Sequence, residues 1–338
     1  MTVPVALVTG ASGFVGRYLC ERLQRDGMFV RGLFRSSAAG PWDECVLADL
    51  ADGVPDDALA GVTHVFHLAG RAHAMALPNA AAAHTRATVV ATERLLEACA
   101  AGCPQSLVYL SSTKAVADPG ARVADERWTA APGDAYGVAK RRAEDHVFAF
   151  GVRHRIPVAV LRPPMVLGAG VKGNAARLLD RAMCGRSIPL PEFGNPRSMV
   201  HVLDLVAALI RVSELREPRQ RCYFVAHPEP FTTRELIDHM RAVGGFPSRE
   251  PVLPGWMWGL AAGCAEALAR VGGATLRERM PLDWERFQRL REPAQFDASL
   301  LEAETGFVAA RGWREAIADM VQARSTTGSG RPTRCDGR

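Results

Sequence analysis

The sequence predicts an α/β fold, a doubly wound parallel sheet, on three observations. The first half alternates short apolar runs with segments of helical spacing. The runs are uninterrupted rather than alternating apolar and polar, so both faces of the sheet should be covered by helices. The first run enters a glycine-rich turn, "TGASGFVG", from which a helix opens near Gly13–Phe14.

The elements follow in order. "VALVTG" (5–10), "FVRGLF" (29–34), "CVLADL" (45–50) and "HVFHLAG" (64–70) read as four strands. "TVVATERLLEACAAG" (88–102) has helical spacing and ends on glycine, as a helix C-terminus should. "SLVYLSS" (106–112) is the next strand, and "VAVLRP" (158–163) follows a helix that carries Tyr136. Beyond Pro163 the pattern breaks up. "PPMVLGAGVKGN" reads as loop, "AARLLDRAMCG" as helix and "SIPLPEFGNPRSMVHV" as short strands. "LDLVAALIRVSEL" (203–215) and "CYFVAH" (222–227) read as a helix and a strand that return to the sheet, and 228–322 as mostly helical. The dinucleotide-binding part is placed at 1–164 plus about 203–227. A smaller, mostly helical substrate part is placed at about 165–202 plus 228–322. Residues 323–338 have the composition of a disordered tail.

Bulk properties bound the function. The 338 residues are 48% apolar and 23% charged, enough for a large core in one domain or two that share it. The net charge of +5 comes without a basic block or basic–aromatic interleaving, which argues against nucleic acid. The N-terminus reads directly into a strand with no secretory pattern. The apolar run "LPGWMWGLAAGCAEALAR" (253–270) is broken by Glu266. It reads as a buried or amphipathic helix, with a membrane-surface role as the alternative and no membrane span. Eight scattered cysteines with no Cys-x-x-Cys pair read as reduced thiols of a cytoplasmic protein. His64, His67, His73 and His84 bring no carboxylate pattern with them, so no metal is expected.

The glycine turn carries chemistry. Gly10, Gly13 and Gly16 follow a strand and open a helix, where backbone N–H groups and the helix dipole suit a pyrophosphate. Strand two ends in "GLFRSSAAGPWDE", with Arg35-Ser36 where an NAD site usually places an acid for the ribose hydroxyls. Nothing there would repel a 2′-phosphate, so NADP(H) is favoured, with NAD(H) the alternative. Asp49 is placed for the adenine edge, or is simply a turn aspartate. Tyr136 and Lys140 stand four apart in "YGVAK", on one face of a helix. Only three of the 41 basic residues are lysine: Lys114, Lys140 and Lys172. An ammonium is a compact point charge beside a phenol, where a guanidinium is a broad fork. Such a charge, together with a nicotinamide cation, favours phenolate.

Together, "TGASGFVG", Ser111-Ser112 and "YGVAK" resemble the extended short-chain dehydrogenase/reductases, in their NAD-dependent nucleotide-sugar epimerase/dehydratase branch, over nearly residues 1–320. The resemblance implies Tyr136 as acid/base, Lys140 as its activator and Ser112 as the hydroxyl on the reacting oxygen, with Ser111 and Thr113 as close alternatives. It implies cofactor contacts from Gly10, Gly13, Phe14, Val15, Gly16, Arg35, Ser36, Asp49, Leu50, Leu68, Ala69, Gly70, Tyr136, Lys140 and Pro163. It implies a nucleotide-sugar substrate whose diphosphate meets Asn174 and Arg197, with the "SIPL" backbone on the base, and it allows a homodimer. Bland readings remain for Asn174 as a helix cap and Arg197 as a surface charge. Two departures stand out. Thr88 occupies a position where the family often has Asn, and the second diphosphate arginine, Arg289 or Arg291, does not align clearly.

The family's sugar dehydratases carry Asp-Glu after the catalytic hydroxyl residue. Here Thr113-Lys114 follow, which leaves a 4-keto-reductase or a 4-epimerase. "SSTKAV", "LAGRAHAM" and "RPPMVLGAGVKGN" look most like reductases of 4-keto-6-deoxy nucleotide sugars in surface-polysaccharide synthesis. A hydroxysteroid-type alcohol dehydrogenase would need an apolar pocket in place of Asn174 and Arg197. A cofactor-sensing protein would have no need of the Ser112, Tyr136 and Lys140 set.

Overall fold

The computed structural model describes residues 3–70, 80–184, 194–217, 220–247, 257–260, 263 and 291–326. Seven strands form one parallel sheet: β1 (Val5–Thr9), β2 (Phe29–Phe34), β3 (Glu44–Leu47), β4 (Val62–His67), β5 (Ser106–Leu110), β7 (Val158–Arg162) and β11 (Gln220–Phe224). Their order across the sheet is β11-β7-β5-β4-β1-β2-β3. The order reverses between β1 and β4, so loops leaving their carboxyl ends diverge and open a crevice there.

The apolar runs sort themselves by the two-residue strand period. Ala6 and Val8 face a core with Leu19 and Leu23 of helix α1 (Phe14–Arg25) and Leu205 and Leu209 of helix α6 (Val202–Ser213). Leu7 faces the opposite core, with Leu95 and Cys99 of α3 (Ala91–Gly102) and Val147 and Phe150 of α4 (Ala135–His154). β7, flanked by β11 and β5, is buried along its whole length, whereas edge strand β3 alternates between half-buried and exposed.

A third cluster packs apart from the sheet. It joins Leu167 of β8 (Met165–Leu167), Leu179 of α5 (Asn174–Met183) and Met199 of β10 (Met199–His201) with Met240 of α7 (Thr233–Val243) and Trp313 and Ile317 of α9 (Trp313–Thr326). Short strands frame it. β8 pairs in parallel with β10, and β9 (Pro196–Arg197) pairs antiparallel with β12 (Phe231–Thr232). β6 (Val123–Ala124) pairs with β13 (Gln295–Phe296). Helix α8 (Ser299–Thr305) returns to the sheet, where Leu301 joins the α1–α6 core.

Several expected boundaries move. β3 stops at Leu47, and the Asp49 carbonyl then accepts from the N–H groups of Asp52 and Gly53 in a turn. The segment read as loop after Pro163 contains β8. The helix expected at 88–102 is preceded by α2 (Ala80–His84) and a π-helical turn (Thr85–Val90). Helix α9 continues through Thr326, beyond the 323 boundary drawn for a tail, and Arg324 ion-pairs with Asp180. Among the described residues no helix is long and apolar enough to cross a membrane. The run at 253–270 lies almost wholly outside them.

The C-terminal segment is tied to the sheet layer through Asp204, which is buried in the first turn of α6. Its carboxylate accepts from the backbone N–H of Ala310 (2.9 Å) and Arg311 (2.7 Å) and from the Arg311 guanidinium (2.5 Å). Replacing it leaves two amides without their acceptor and takes away the nearer of the two carboxylates, Asp204 and Glu315, that face the Arg311 guanidinium. Asp204→Ala should therefore destabilise the fold by about 3 kcal/mol. Urea unfolding of the two proteins measures this.

Candidate active site

The crevice at the sheet reversal begins with the glycine turn. Gly10 sits at φ 71°, and a Cβ there would stand 2.8 Å from the amide nitrogen of Ala69. A Cβ at Gly16 would stand 2.2 Å from the Gly10 carbonyl oxygen. Gly13 N–H donates to that carbonyl (2.9 Å) and precedes Phe14 and Val15, the first residues of α1. The result is bare backbone at a helix N-terminus, which fits the pyrophosphate of a dinucleotide.

The flanks are polar and open. Arg35 and Ser36 are exposed immediately after β2. The acids nearby are already engaged: Asp43 accepts from Val30 N–H, and Glu44 pairs with Arg31. Asp49 is exposed and accepts from Ala51 N–H (3.0 Å), with Arg86 at 3.5 Å, while Leu50 beside it is buried. The turn reading of Asp49 thus accounts for its contacts in this structure.

A buried polar chain joins β1, β4 and α3. Ala69 N–H donates to Thr9 Oγ1 (3.2 Å), and Thr9 Oγ1 meets His67 Nδ1 (2.7 Å). His67 Nε2 meets Thr92 Oγ1 (2.9 Å), which donates onward to the Thr88 carbonyl (2.6 Å). Thr92 spends its proton on that carbonyl, so Nε2 carries the imidazole hydrogen and Nδ1 accepts from Thr9. Burial first, then Lys140, depresses the His67 pKa to about 3, so the ring is neutral.

Ser112, Tyr136 and Lys140 lie where β5 meets α4. Ser112 follows β5 and caps the short turn Thr113–Ala115, its hydroxyl accepting from Lys114 N–H (3.2 Å). Helix α4 is capped by Asp134, which accepts from Gly137 N–H (2.8 Å). Its first turn lies so close to the serine loop that a Cβ on Gly137 would be 2.1 Å from the Lys114 carbonyl oxygen. This approach sets the Tyr136 phenol close enough to Ser112 for the serine hydroxyl to pull the phenol pKa down. Ser111 is spent elsewhere: its hydroxyl donates to buried Glu144 (2.5 Å), which also holds Arg162 through two bonds (2.9 and 2.6 Å). Of the serine alternatives, only Ser112 faces Tyr136. Pro163, after β7, is buried, and its carbonyl accepts from Thr113 N–H (3.1 Å).

Lys140 is 4% exposed. Its ammonium donates to the Leu110 carbonyl (2.7 Å) and lies 4.6 Å from the centre of the Tyr109 ring. It also lies 3.3 Å from where a Gly70 Cβ would be. Burial pulls its pKa down to about 8, against an upward pull from Glu144. Burial raises the Tyr136 pKa, outweighing the Ser112 hydroxyl that lowers it, with Asp134 adding to the rise. The sequence argument favoured phenolate. In this structure desolvation prevails, and the phenol holds its proton.

Outside the sheet, Asn174 is the first residue of α5, whose cap is Gly173, so the cap reading of Asn174 falls away. Arg197 is half-buried on β9 and donates to the Glu292 carbonyl (3.3 Å). Burial lowers its pKa, with Asp118 and Glu292 opposing. Arg291 is exposed. Arg289 and the "SIPL" strand lie outside the described residues.

Residues 6–226 match the model of the NAD dependent epimerase/dehydratase family. The chain belongs to that family. Among its relatives, the UDP-glucose 4-epimerase of Vibrio cholerae is 26% identical over 307 residues, covering 85% of this chain and 92% of that protein. The UDP-2-acetamido-2,6-beta-L-arabino-hexul-4-ose reductase of Pseudomonas aeruginosa is 31% identical over 214 residues, covering 62% of this chain and 49% of that protein. The solved structure of MoeE5 in complex with UDP-glucuronic acid and NAD superposes with a TM-score of 0.77 at 22% identity, covering 96% of this chain and 99% of that one.

Two residues to which the sequence reading gave no role, His84 and Thr88, lie beside Tyr136 and Gly70. His84, on α2, is 1% exposed. Its ring stands edge-on to Tyr136 with centroids 5.7 Å apart, and its Nδ1 is unpartnered. Thr88, one turn on, is fully buried with its hydroxyl unpartnered, 3.8 Å from the position of a Gly70 Cβ. Only the four-residue spacing of His84 and Thr88 hinted at this shared face, and the π-helical turn between them was not legible.

The Lys140 shift has a stability consequence. Between pH 8 and 10.5 the folded chain has released a proton that free lysine keeps, so the unfolded state binds more protons. Stability from this residue therefore rises as pH rises through that window. Relative to Lys140→Met, the wild type should gain roughly 1 kcal/mol per pH unit there. Urea unfolding of both proteins at pH 7, 8, 9 and 10 checks the sign.

Proposed function

We propose that this protein is a nicotinamide-dependent oxidoreductase that reduces the C4 ketone of a nucleotide-linked 4-keto-6-deoxy sugar, most simply a UDP-sugar. The observation that carries the reading is the Ser112–Tyr136 hydroxyl pair, with Lys140 behind it, at the crevice opened by the Gly10 turn. The Pseudomonas relative, a 4-keto hexose reductase by name, supports the reaction class.

The bound cofactor would supply hydride to the ketone carbon. Ser112 donates a hydrogen bond to the ketone oxygen, and Tyr136 gives its proton to that oxygen as negative charge develops there. A phenol whose pKa is raised by burial is in the correct state to do so. Ketone, hydride and proton together make the alcohol. Lys140 then stabilises the phenolate left behind until solvent restores the proton. Asn174 and Arg197 hold the diphosphate away from the chemistry, so binding energy there orients C4. The position after Ser112 carries Thr113 and Lys114, and the Lys114 ammonium is taken by Asp118 (2.6 Å). No acid pair stands there for dehydration.

The Vibrio relative motivates a second reading, a 4-epimerase that retains NAD+ through each turnover. The two separate on cofactor stoichiometry. A reductase consumes one NADPH per 4-keto-sugar and purifies with little bound nucleotide. Protein that purifies with tightly held NAD+ and interconverts C4 epimers without net oxidation is an epimerase. In either case Tyr136→Phe should lower turnover by about a thousandfold while cofactor affinity stays nearly unchanged. Steady-state kinetics with fluorescence titration measures both.

Cofactor choice is a separate expectation. Arg35 and Ser36 are exposed, and the acids that follow them, Asp43 and Glu44, are engaged with Val30 and Arg31, which supports NADPH over NADH. Arg35→Asp should weaken NADPH by about tenfold or more and leave NADH little changed. A wild type that prefers NADH would reduce Arg35 to a surface residue.

A further inference from the structure

Glu144 is fully buried and three elements converge on it. It lies one turn beyond Lys140 on α4, as Lys140 lies one turn beyond Tyr136, so the three stand in line along one helix face. Its Oε1 accepts from Ser111 Oγ (2.5 Å) and Arg162 Nε (2.9 Å), and its Oε2 accepts from the Arg162 terminal nitrogen (2.6 Å). Ser111 immediately precedes Ser112, and Arg162 immediately precedes Pro163. One carboxylate thus grips the carboxyl ends of β5 and β7 from the helix that carries Tyr136 and Lys140. A buried ion pair is weak evidence for stability, because desolvation cancels much of its attraction. Its location at the reactive set calls for a different explanation.

We propose that Glu144 is a positioning residue: it fixes the backbone that presents Ser112 and Pro163 to Tyr136, and its negative charge keeps the buried Lys140 ammonium protonated. The proposal rests on the reading of Ser112, Tyr136 and Lys140 as the catalytic set. The surroundings of Lys140 leave Glu144 as the charge that favours its cation. On β5, Tyr109 is held neutral by burial. On β4, His67 is neutral down to about pH 3. On α4, Tyr136 keeps its proton, and the nearby π-helical turn offers uncharged Thr88. On α2, His84 faces the Tyr136 ring. On β7, Arg162 opposes the effect but is bound directly to Glu144. Burial alone would pull the Lys140 pKa further, and Glu144 is the group that pulls it back to about 8.

The three lysines of the chain make the test direct. Lysine-selective ¹³C labelling of the full-length protein gives three side-chain signals, with Lys140 assigned by its loss in Lys140→Met. The wild-type midpoint is expected near 8. In Glu144→Gln it should fall by about one pH unit or more, and the alkaline limb of the kcat/KM profile should move down with it. Glu144→Gln also strands the Arg162 guanidinium, so Glu144→Gln/Arg162→Met serves as the second variant. A low Lys140 midpoint in the folded double variant supports the charge role, and a midpoint still near 8 overturns it. Ser111→Ala keeps both charges. It should leave the midpoint unchanged and lower kcat by about tenfold with cofactor affinity retained. Unaltered kcat in Ser111→Ala overturns the positioning role. A Lys140 midpoint that falls in the folded Glu144 variants of a protein that turns over no nucleotide sugar would leave the charge role standing and locate the failure in the proposed substrate.

Discussion

The closeness of α4 to the loop after β5 governs the rest of the site. Gly137 leaves only hydrogen where any other residue would place carbon 2.1 Å from the Lys114 carbonyl oxygen. With that contact allowed, Asp134 can cap the helix, the Tyr136 hydroxyl can reach Ser112, and Lys140 can reach the Leu110 carbonyl. Strands β4, β5 and β7 then deliver His67, Ser111 and Arg162 to the same layer, because parallel strands end on the same side of the sheet. The site is therefore a property of packing between one helix and one sheet edge. No single loop contains it.

Within that layer, burial and charge compete. The Tyr136 phenol, the Tyr109 phenol and the His67 imidazole are all pushed toward their neutral forms by desolvation. Lys140 is pushed the same way, and only Glu144 leans against it. Removed from water, the Lys140 ammonium feels the nearby Glu144–Arg162 pair strongly, because little solvent is present to screen it. Such an interior also suits a site whose ligand would bring its own charges.

The sheet, its strand order of use and the glycine turn were readable because they follow from local pattern: apolar run, turn, helix. That Tyr136 and Lys140 share one face of α4 was readable, because residues four apart on a helix lie on the same face. Ser112 was preferred on the family resemblance, but that Ser111 is engaged elsewhere was not readable, since it depends on Glu144 lying 33 residues away. The same holds for His84 against Tyr136, a contact made by tertiary packing alone. The weight of burial at Tyr136 was not readable for a related reason. Sequence shows which charges are near in the chain but not how much water is removed. β8 was missed because its partner, β10, lies more than thirty residues later in the chain.

The Thr9–His67–Thr92 chain has a consequence for how the sheet finds its alignment. Between β1 and β4 the neighbouring pairs Leu7↔Val65 and Val8↔Phe66 are apolar and would accept a sliding strand with little complaint. Thr9↔His67 would not. Sliding by one residue would set Phe66 against the Thr9 hydroxyl and swing the imidazole to the other face of the sheet. Both ring nitrogens would then be buried without partners, at about 1–3 kcal/mol each. Since every hydrogen in the chain already has an assigned direction, no alternative wiring rescues the slipped strand. One neutral histidine thereby acts as a proofreader of strand alignment at the point where the glycine turn and the reactive layer must meet.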